Sequence, residues 1–129
     1  MALIFLIARI VLGIYWLEVA YKHILKPGGL IGYAQMKGVK FAKFAVIGTG
    51  ILAMLGGLSI MFGIRPHYGI VLLVLFLVLT AFKMHAYWKV EDPMQKMSER
   101  INFTKNIALA ASILALIEVV QPWVYSLNW

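Results

Sequence analysis

Four apolar stretches of about twenty residues, separated by short polar segments, constrain the fold of this chain most strongly. A helix needs roughly 20 mostly apolar residues to cross a hydrocarbon core of about 30 Å. The chain is 63% hydrophobic and only 13% charged, and a soluble domain of 129 residues could not bury that much apolar surface. We therefore predict an all-α fold, a single transmembrane four-helix bundle over residues 1–129, with spans at residues 2–21, 41–62, 68–88 and 103–120.

The segments between the spans contain residues that end helices or lie at a membrane surface. Gly63-Ile64-Arg65-Pro66 predicts a tight break, because proline has no backbone N–H to donate within a helix. Glu91-Asp92-Pro93 opens a polar segment that runs to Arg100. Residues 24–43 mix apolar residues with lysines, which predicts an amphipathic interfacial segment between the first and second spans.

Positive charge is distributed unequally between the two ends of the predicted bundle. Ten of the twelve lysines and arginines lie in or beside the first and third connections, whereas Arg65 and the intramembrane Arg9 lie toward the other side. The positive-inside rule predicts a multi-pass protein of a bacterial or archaeal cytoplasmic membrane, with both termini outside and the basic connections in the cytoplasm. The expected partners are membrane lipids and another membrane subunit or a second copy, and no nucleic acid.

Cysteine and histidine limit the cofactor chemistry. The absence of cysteine excludes a disulfide framework, a cysteine-bound iron–sulfur cluster and dithiol chemistry carried by this chain alone. The three histidines, His23, His67 and His85, show no spacing that would place two of them on one helical face. No metal site is therefore predicted.

Two ionisable residues lie at comparable depth in the outer halves of the first and last spans. Arg9 belongs to the first span and Glu118 to the end of the last one. An ionisable group at the bilayer centre costs about 2.5–3.5 kcal/mol on insertion scales, so each needs a partner. We predict an intramembrane ion pair between them, which either locks the two helices together or forms part of a ligand or proton site that opens outward.

A second group of polar residues lies at the cytoplasmic ends of the spans. Glu18 precedes Lys22 by four residues on one helical face, the favourable order for an ion pair. The residues predicted to form a ligand-binding pocket at this mouth are Glu18, Lys22, His85, Lys105 and Asn106, with Tyr15, His23 and Lys83 nearby. The alternative is that the lysines only extend to the lipid headgroups.

Small residues recur every four positions along the second span, at Ala45, Thr49, Ala53 and Gly57. Such a stripe lets a neighbouring backbone approach closely. The last span has a similar row, Thr104, Ala108 and Ser112, so we expect these two helices to pack together, or one of the stripes to mediate contact between copies.

An ordered set of segments resembles the DoxX/DoxD family of small four-helix membrane proteins. The set covers nearly the whole chain: Ala8-Arg9 with Leu12-Gly13, Trp16 to Lys22 before Pro27, Leu55-Gly56-Gly57-Leu58 before Gly63, His85-Ala86-Tyr87-Trp88, and Phe103 to Leu109. Two positions depart from the family pattern: Ala53 stands where relatives often have an acid, and Val19 where they often have glycine. An acid occurs instead at Glu18, which puts transfer of any second-helix site in doubt.

The resemblance implies membrane redox chemistry, as in a thiosulfate:quinone oxidoreductase subunit, and makes quinone the candidate cofactor. The expected function is an accessory subunit that anchors a quinone-linked redox complex. One alternative is a quinone-binding oxidoreductase subunit with its own site around Glu18, Lys22 and His85, where histidine and carboxylate suit proton transfer. Another is a small transporter or lipid-binding protein, and whether the chain is catalytic stays open.

Overall fold

The protein is built almost entirely of α-helices. The computed structural model describes residues 1–127, and within them no β-strand occurs. The α-helices are α1 (Ala2–Leu25), α2 (Gly28–Met36), α3 (Ala42–Phe62), α4 (Pro66–Met84) and α5 (Pro93–Leu114), with short 3-10 segments at Tyr87–Lys89 and Ala115–Glu118. With those two segments added to α4 and α5, four helices are long and apolar enough to cross a membrane. The predicted all-α class and the four apolar helices are confirmed.

The predicted break between the second and third spans is present. Gly63 ends α3 in the left-handed conformation, with φ 69°. Arg65 is also left-handed, and Pro66 begins α4, where its missing N–H removes no helical hydrogen bond. A Cβ at Gly63 would lie 2.5 Å from Ser126 Cβ, so both the conformation and the space favour glycine.

The last helix begins ten residues before the predicted start of the fourth span. The Asp92 carboxylate caps it by accepting a hydrogen bond from the Gln95 N–H at 2.9 Å, and Pro93 occupies the first turn. The polar segment that the sequence assigned to a connection is therefore the first two turns of α5. This extension places Glu99 on a helix, where its side chain has a fixed direction.

The amphipathic segment between the first two spans forms α2, which packs against the start of α3. Ala34 is buried in a small cluster with Ala42 and Val46, and Val39 and Met84 pack at its edge. This short helix covers one end of the bundle. It is the end that receives the first and third connections, and we call it the basic end.

The most extensive helix contact joins α1 to α3 and involves glycines on both helices. A Cβ on Gly57 would lie 2.8 Å from Trp16 Cβ, and one on Gly13 would lie 2.6 Å from Met61 Cβ. The Trp16 side chain is fully buried at this crossing. Within residues 1–127, α3 packs against α1 and α4, and no comparable packing joins it to α5. Gly57 of the small-residue stripe therefore contacts α1, and the prediction that the stripe packs against the last span is wrong.

The helices follow one another around the bundle in the order α1, α3, α4, α5. At the end opposite the basic end, the segment after α5 lies between the two edge helices. Trp123, only 2% exposed, packs edge-on against Phe5 of α1, with ring centroids 5.1 Å apart. The Leu127 N–H donates to the Phe62 carbonyl at 2.8 Å, which fixes this segment to the end of α3.

The α1–α3 contact is tested by adding a single methyl group. Gly57→Ala should lower the melting temperature in detergent, because its Cβ overlaps Trp16 and overpacking costs about 1–3 kcal/mol. Gly48→Ala on the same helix is the control, since a Cβ there meets nothing within 4 Å. Equal melting temperatures for the two variants would contradict this packing.

Candidate functional site

A cavity of about 480 Å³ lies at the basic end of the bundle, with walls from α1, α2, α3 and α4. Its lining is mainly apolar, including Leu30, Val46 and Phe76. The polar side chains in the lining are His23, Tyr33, Thr49, Thr80, Lys83 and His85. A predominantly apolar pocket of this size with a few polar groups is typical of a site for a small lipophilic molecule.

His23 forms the inner polar wall of the cavity. Its Nδ1 lies 3.1 Å from the Val46 carbonyl and 3.2 Å from Thr49 Oγ1. The Thr49 hydroxyl donates to the Ala45 carbonyl at 2.8 Å, so its oxygen is free to accept from His23. The ring packs against Phe76 at a centroid distance of 5.4 Å. Gly50 makes this placement possible, because a Cβ there would lie 2.6 Å from His23 Cβ.

A carboxylate with three polar partners lies beside the cavity. Tyr33 donates to Glu99 Oε1 at 2.6 Å, Lys37 Nζ lies 3.0 Å from the same oxygen, and His85 Nδ1 lies 2.6 Å from Oε2. The Glu99 side chain is only 12% exposed. We call these four residues the Glu99 cluster. It joins α2, the segment after α4, and α5.

The Glu99 cluster keeps the Tyr33 phenol protonated. Burial, together with the hydrogen bond to the nearby Glu99 carboxylate, raises the pKa of Tyr33 well above its usual range. The phenol therefore donates to the carboxylate across the physiological pH range. Because Tyr33 lies in α2 and Lys37 directly follows its last residue, the cluster holds this short helix over the cavity.

The pocket predicted at the cytoplasmic mouth is assembled from other residues. Of the five predicted residues, only His85 lines the cavity, together with its predicted neighbours His23 and Lys83. Glu18 and Lys22 form an ion pair of 2.8 Å on the outer surface of α1, with side chains 61% and 60% exposed. Lys105 is exposed on α5 and Asn106 is half-buried, and neither lines the cavity.

Sequence reasoning missed Glu99, Tyr33 and Lys37. Glu99 lay in a segment that was interpreted as a connection. Asp92-Pro93 is a helix-start signal, an N-cap residue followed by proline in the first turn, and it would have placed Glu99 about two turns into a helix. No local pattern indicates that Tyr33, 66 residues away, meets it.

Arg9 is buried as predicted, but the structure does not pair it with Glu118. Its Nη2 donates to the Tyr125 carbonyl at 3.1 Å, and its guanidinium lies 5.4 Å from the Phe5 ring and 5.6 Å from the Trp123 ring. No ion pair joins it to Glu118 within residues 1–127, and Glu118 is exposed. The physical reason is that α5 ends at Leu114 and the chain beyond it folds back across α1. Backbone oxygen and aromatic faces thus stabilise the cation.

Two substitutions distinguish the observed environment of Arg9 from the predicted ion pair with Glu118. Arg9→Ala should lower the unfolding free energy by about 2 kcal/mol, because it removes one charge-assisted hydrogen bond and two cation–π contacts. Glu118→Ala should leave thermal stability in detergent unchanged. Equal losses of stability in the two variants would contradict this environment and support the ion pair between Arg9 and Glu118.

Hydrogen exchange tests the Glu99 cluster. Glu99→Gln removes the charge that Lys37 and His85 face, so amides of α2 around residues 31–37 should exchange roughly tenfold faster. Amides in the middle of α4 should keep their rates. Glu91→Gln, an exposed carboxylate in the preceding segment, is the matched control. Unchanged exchange in α2 would show that the cluster does not hold this helix.

Comparison with known proteins gives a family and no individual relative. No curated protein and no solved structure matches the chain. The family model of DoxX matches residues 4–86, which include α1 to α4 and His85 and stop before Glu99. The match covers well over half of the chain and confirms the resemblance seen in the sequence. The chain, with its four apolar helices, belongs to the DoxX family of membrane proteins.

Proposed function

We propose that this DoxX-family protein is a subunit of a membrane redox system and that its cavity binds a quinone-class molecule. The observation that carries the proposal is the cavity itself, an apolar space of about 480 Å³ with His23 and His85 in its wall. A quinone is a flat lipophilic ring with two oxygens that need hydrogen-bond partners. The apolar lining suits the ring, and the polar side chains suit the oxygens.

The Glu99 cluster supplies groups for proton exchange with such a ligand. His85 contacts Glu99 through Nδ1 and also lines the cavity. Histidine held by a carboxylate is a common arrangement for moving protons near neutral pH. The sequence suggested Glu18, Lys22 and His85 for a redox-linked role. We now propose His85, His23 and Glu99 for that role.

This chain has no cysteine, so it cannot hold a cysteine-bound iron–sulfur cluster. If the redox system uses such a cluster, a partner subunit must carry it and supply the electrons. The edge helices leave room for that partner. Only 17% of the residues in the apolar window of α1 and 11% in that of α5 are buried. Another membrane subunit or a second copy would cover these faces in place of lipid.

The proposed orientation places the cavity near the cytoplasmic surface. The basic end carries ten of the twelve lysines and arginines, which favours the cytoplasmic side under the positive-inside rule. Both termini then lie outside a bacterial or archaeal cytoplasmic membrane. Protons exchanged at the Glu99 cluster would come from the cytoplasm.

The proposal is tested by identifying what occupies the cavity. The protein is extracted gently from its own membrane, and bound small molecules are identified by mass spectrometry. We expect quinone in the wild-type protein and loss of most of it in Ala45→Phe, whose larger side chain fills the cavity. Ala108→Phe, at an exposed position of α5, is the control and should keep its quinone.

The same preparation separates the alternatives. Native mass spectrometry should show the chain bound to a second polypeptide if it is an accessory subunit. An anionic lipid in the cavity in place of quinone would contradict the quinone proposal. It would favour the lipid-binding alternative, because Lys83 lies in the cavity wall.

A further inference from the structure

We propose that the cavity selects the reduced form of its ligand, binding a quinol more tightly than the corresponding quinone. The inference rests on the proposed function, since it assumes a quinone-class ligand in this cavity. It comes from the way the protein holds its two cavity histidines. Each ring uses Nδ1 to contact the protein and leaves Nε2 without a hydrogen-bond partner among residues 1–127.

The proton of His23 is assigned by its partner. A backbone carbonyl can only accept, so the 3.1 Å contact with Val46 requires Nδ1 to carry the hydrogen. The Thr49 oxygen, 3.2 Å away, accepts from the same hydrogen because its own hydroxyl donates to backbone carbonyls. In the neutral ring Nε2 is then a lone-pair acceptor.

His85 reaches the same state by a different contact. Glu99 Oε1 already accepts from Tyr33 at 2.6 Å and faces Lys37 Nζ at 3.0 Å, which favours an ionised carboxylate. The 2.6 Å contact between Oε2 and His85 is therefore a hydrogen bond donated by Nδ1. In the neutral form of this ring Nε2 is an acceptor, as in His23, and both residues line the cavity.

Two acceptors in one cavity wall distinguish the redox forms of the ligand. A quinol hydroxyl both donates and accepts, whereas a quinone carbonyl only accepts. The hydroxyls of Tyr33 and Thr49 already donate within the protein, which leaves Thr80 and Lys83 as donors in the lining. A quinol can satisfy those donors and both histidines. A quinone cannot donate to the histidine nitrogens, and a polar atom that loses its partner in a mainly apolar cavity costs free energy.

The preference has a thermodynamic consequence for the ligand. If the quinol binds about tenfold tighter, the potential of the bound two-electron couple rises by about 30 mV relative to the free couple. The cavity would therefore hold quinol produced by a partner enzyme, or present it to one that oxidises it. No electron transfer within this chain is required.

The test compares the binding of three probes to the whole chain in detergent and without oxygen. The pH is 8, because a higher pH favours the neutral form of a histidine ring. The probes are decylubiquinol, decylubiquinone and the dimethyl ether of the quinol, which keeps the ring and lacks both hydroxyl donors. We expect the quinol to bind about tenfold tighter than the other two. Equal or tighter binding of the quinone overturns this inference and leaves the proposed function standing. Binding of none of the three overturns the proposed function itself.

Histidine variants test whether His23 and His85 cause the preference for quinol over quinone. His23→Gln and His85→Gln each provide an amide that can donate as well as accept, so the quinol-to-quinone ratio of affinities should fall toward one. The control is His67→Gln at the opposite end of the bundle, where Nε2 lies 3.1 Å from the Ile117 carbonyl. An unchanged ratio in both cavity variants contradicts the assignment. The wild-type comparison of the three probes stands even where a variant fails to fold.

Discussion

The close approach of α1 and α3 is the contact on which the rest of the structure depends. Lipid tails are as apolar as the helices, so burial of apolar surface gives little drive for helix association, and fit between helices must supply it. Gly13 and Gly57 let the two backbones meet around Trp16. About two turns further along the same contact, Gly50 leaves space for His23, so the packing that joins the helices also positions the inner wall of the cavity.

The second constraint is the Glu99 carboxylate at the edge of the bundle, whose side chain is only 12% exposed. An ionised carboxylate removed from water is costly unless its oxygens are hydrogen-bonded, and Glu99 meets Tyr33, Lys37 and His85. Those partners come from two other parts of the chain, so satisfying the charge fixes α2 against α5. The carboxylate also orients the His85 ring by accepting a hydrogen bond from its Nδ1.

Cavity and cluster together would let a chain with few polar residues bind the lipophilic ligand that we propose. The apolar part of the lining would contact the ring of such a ligand, and the histidines would contact its oxygens. Each histidine is oriented through Nδ1, by the Val46 carbonyl or by Glu99, so the other nitrogen has a defined hydrogen-bonding role. The match to the DoxX family model ends at residue 86, so His23 and His85 lie inside the matched region and Glu99 lies outside it.

The sequence by itself determined the membrane-spanning architecture, the break at Gly63 to Pro66 and the basic end, because hydropathy, proline geometry and charge counting depend on residues close together in the chain. It did not determine which side chains meet. The sequence predicts matching depths for Arg9 and Glu118, yet the segment after α5 turns back and gives Arg9 the Tyr125 carbonyl and two aromatic rings instead. Glu18 and Lys22 form the predicted contact on α1, but their side chains are exposed on its outer surface. Depth follows from sequence position, whereas the direction of a side chain toward Glu99 or His23 follows from helix rotation and packing, which only the tertiary structure decided.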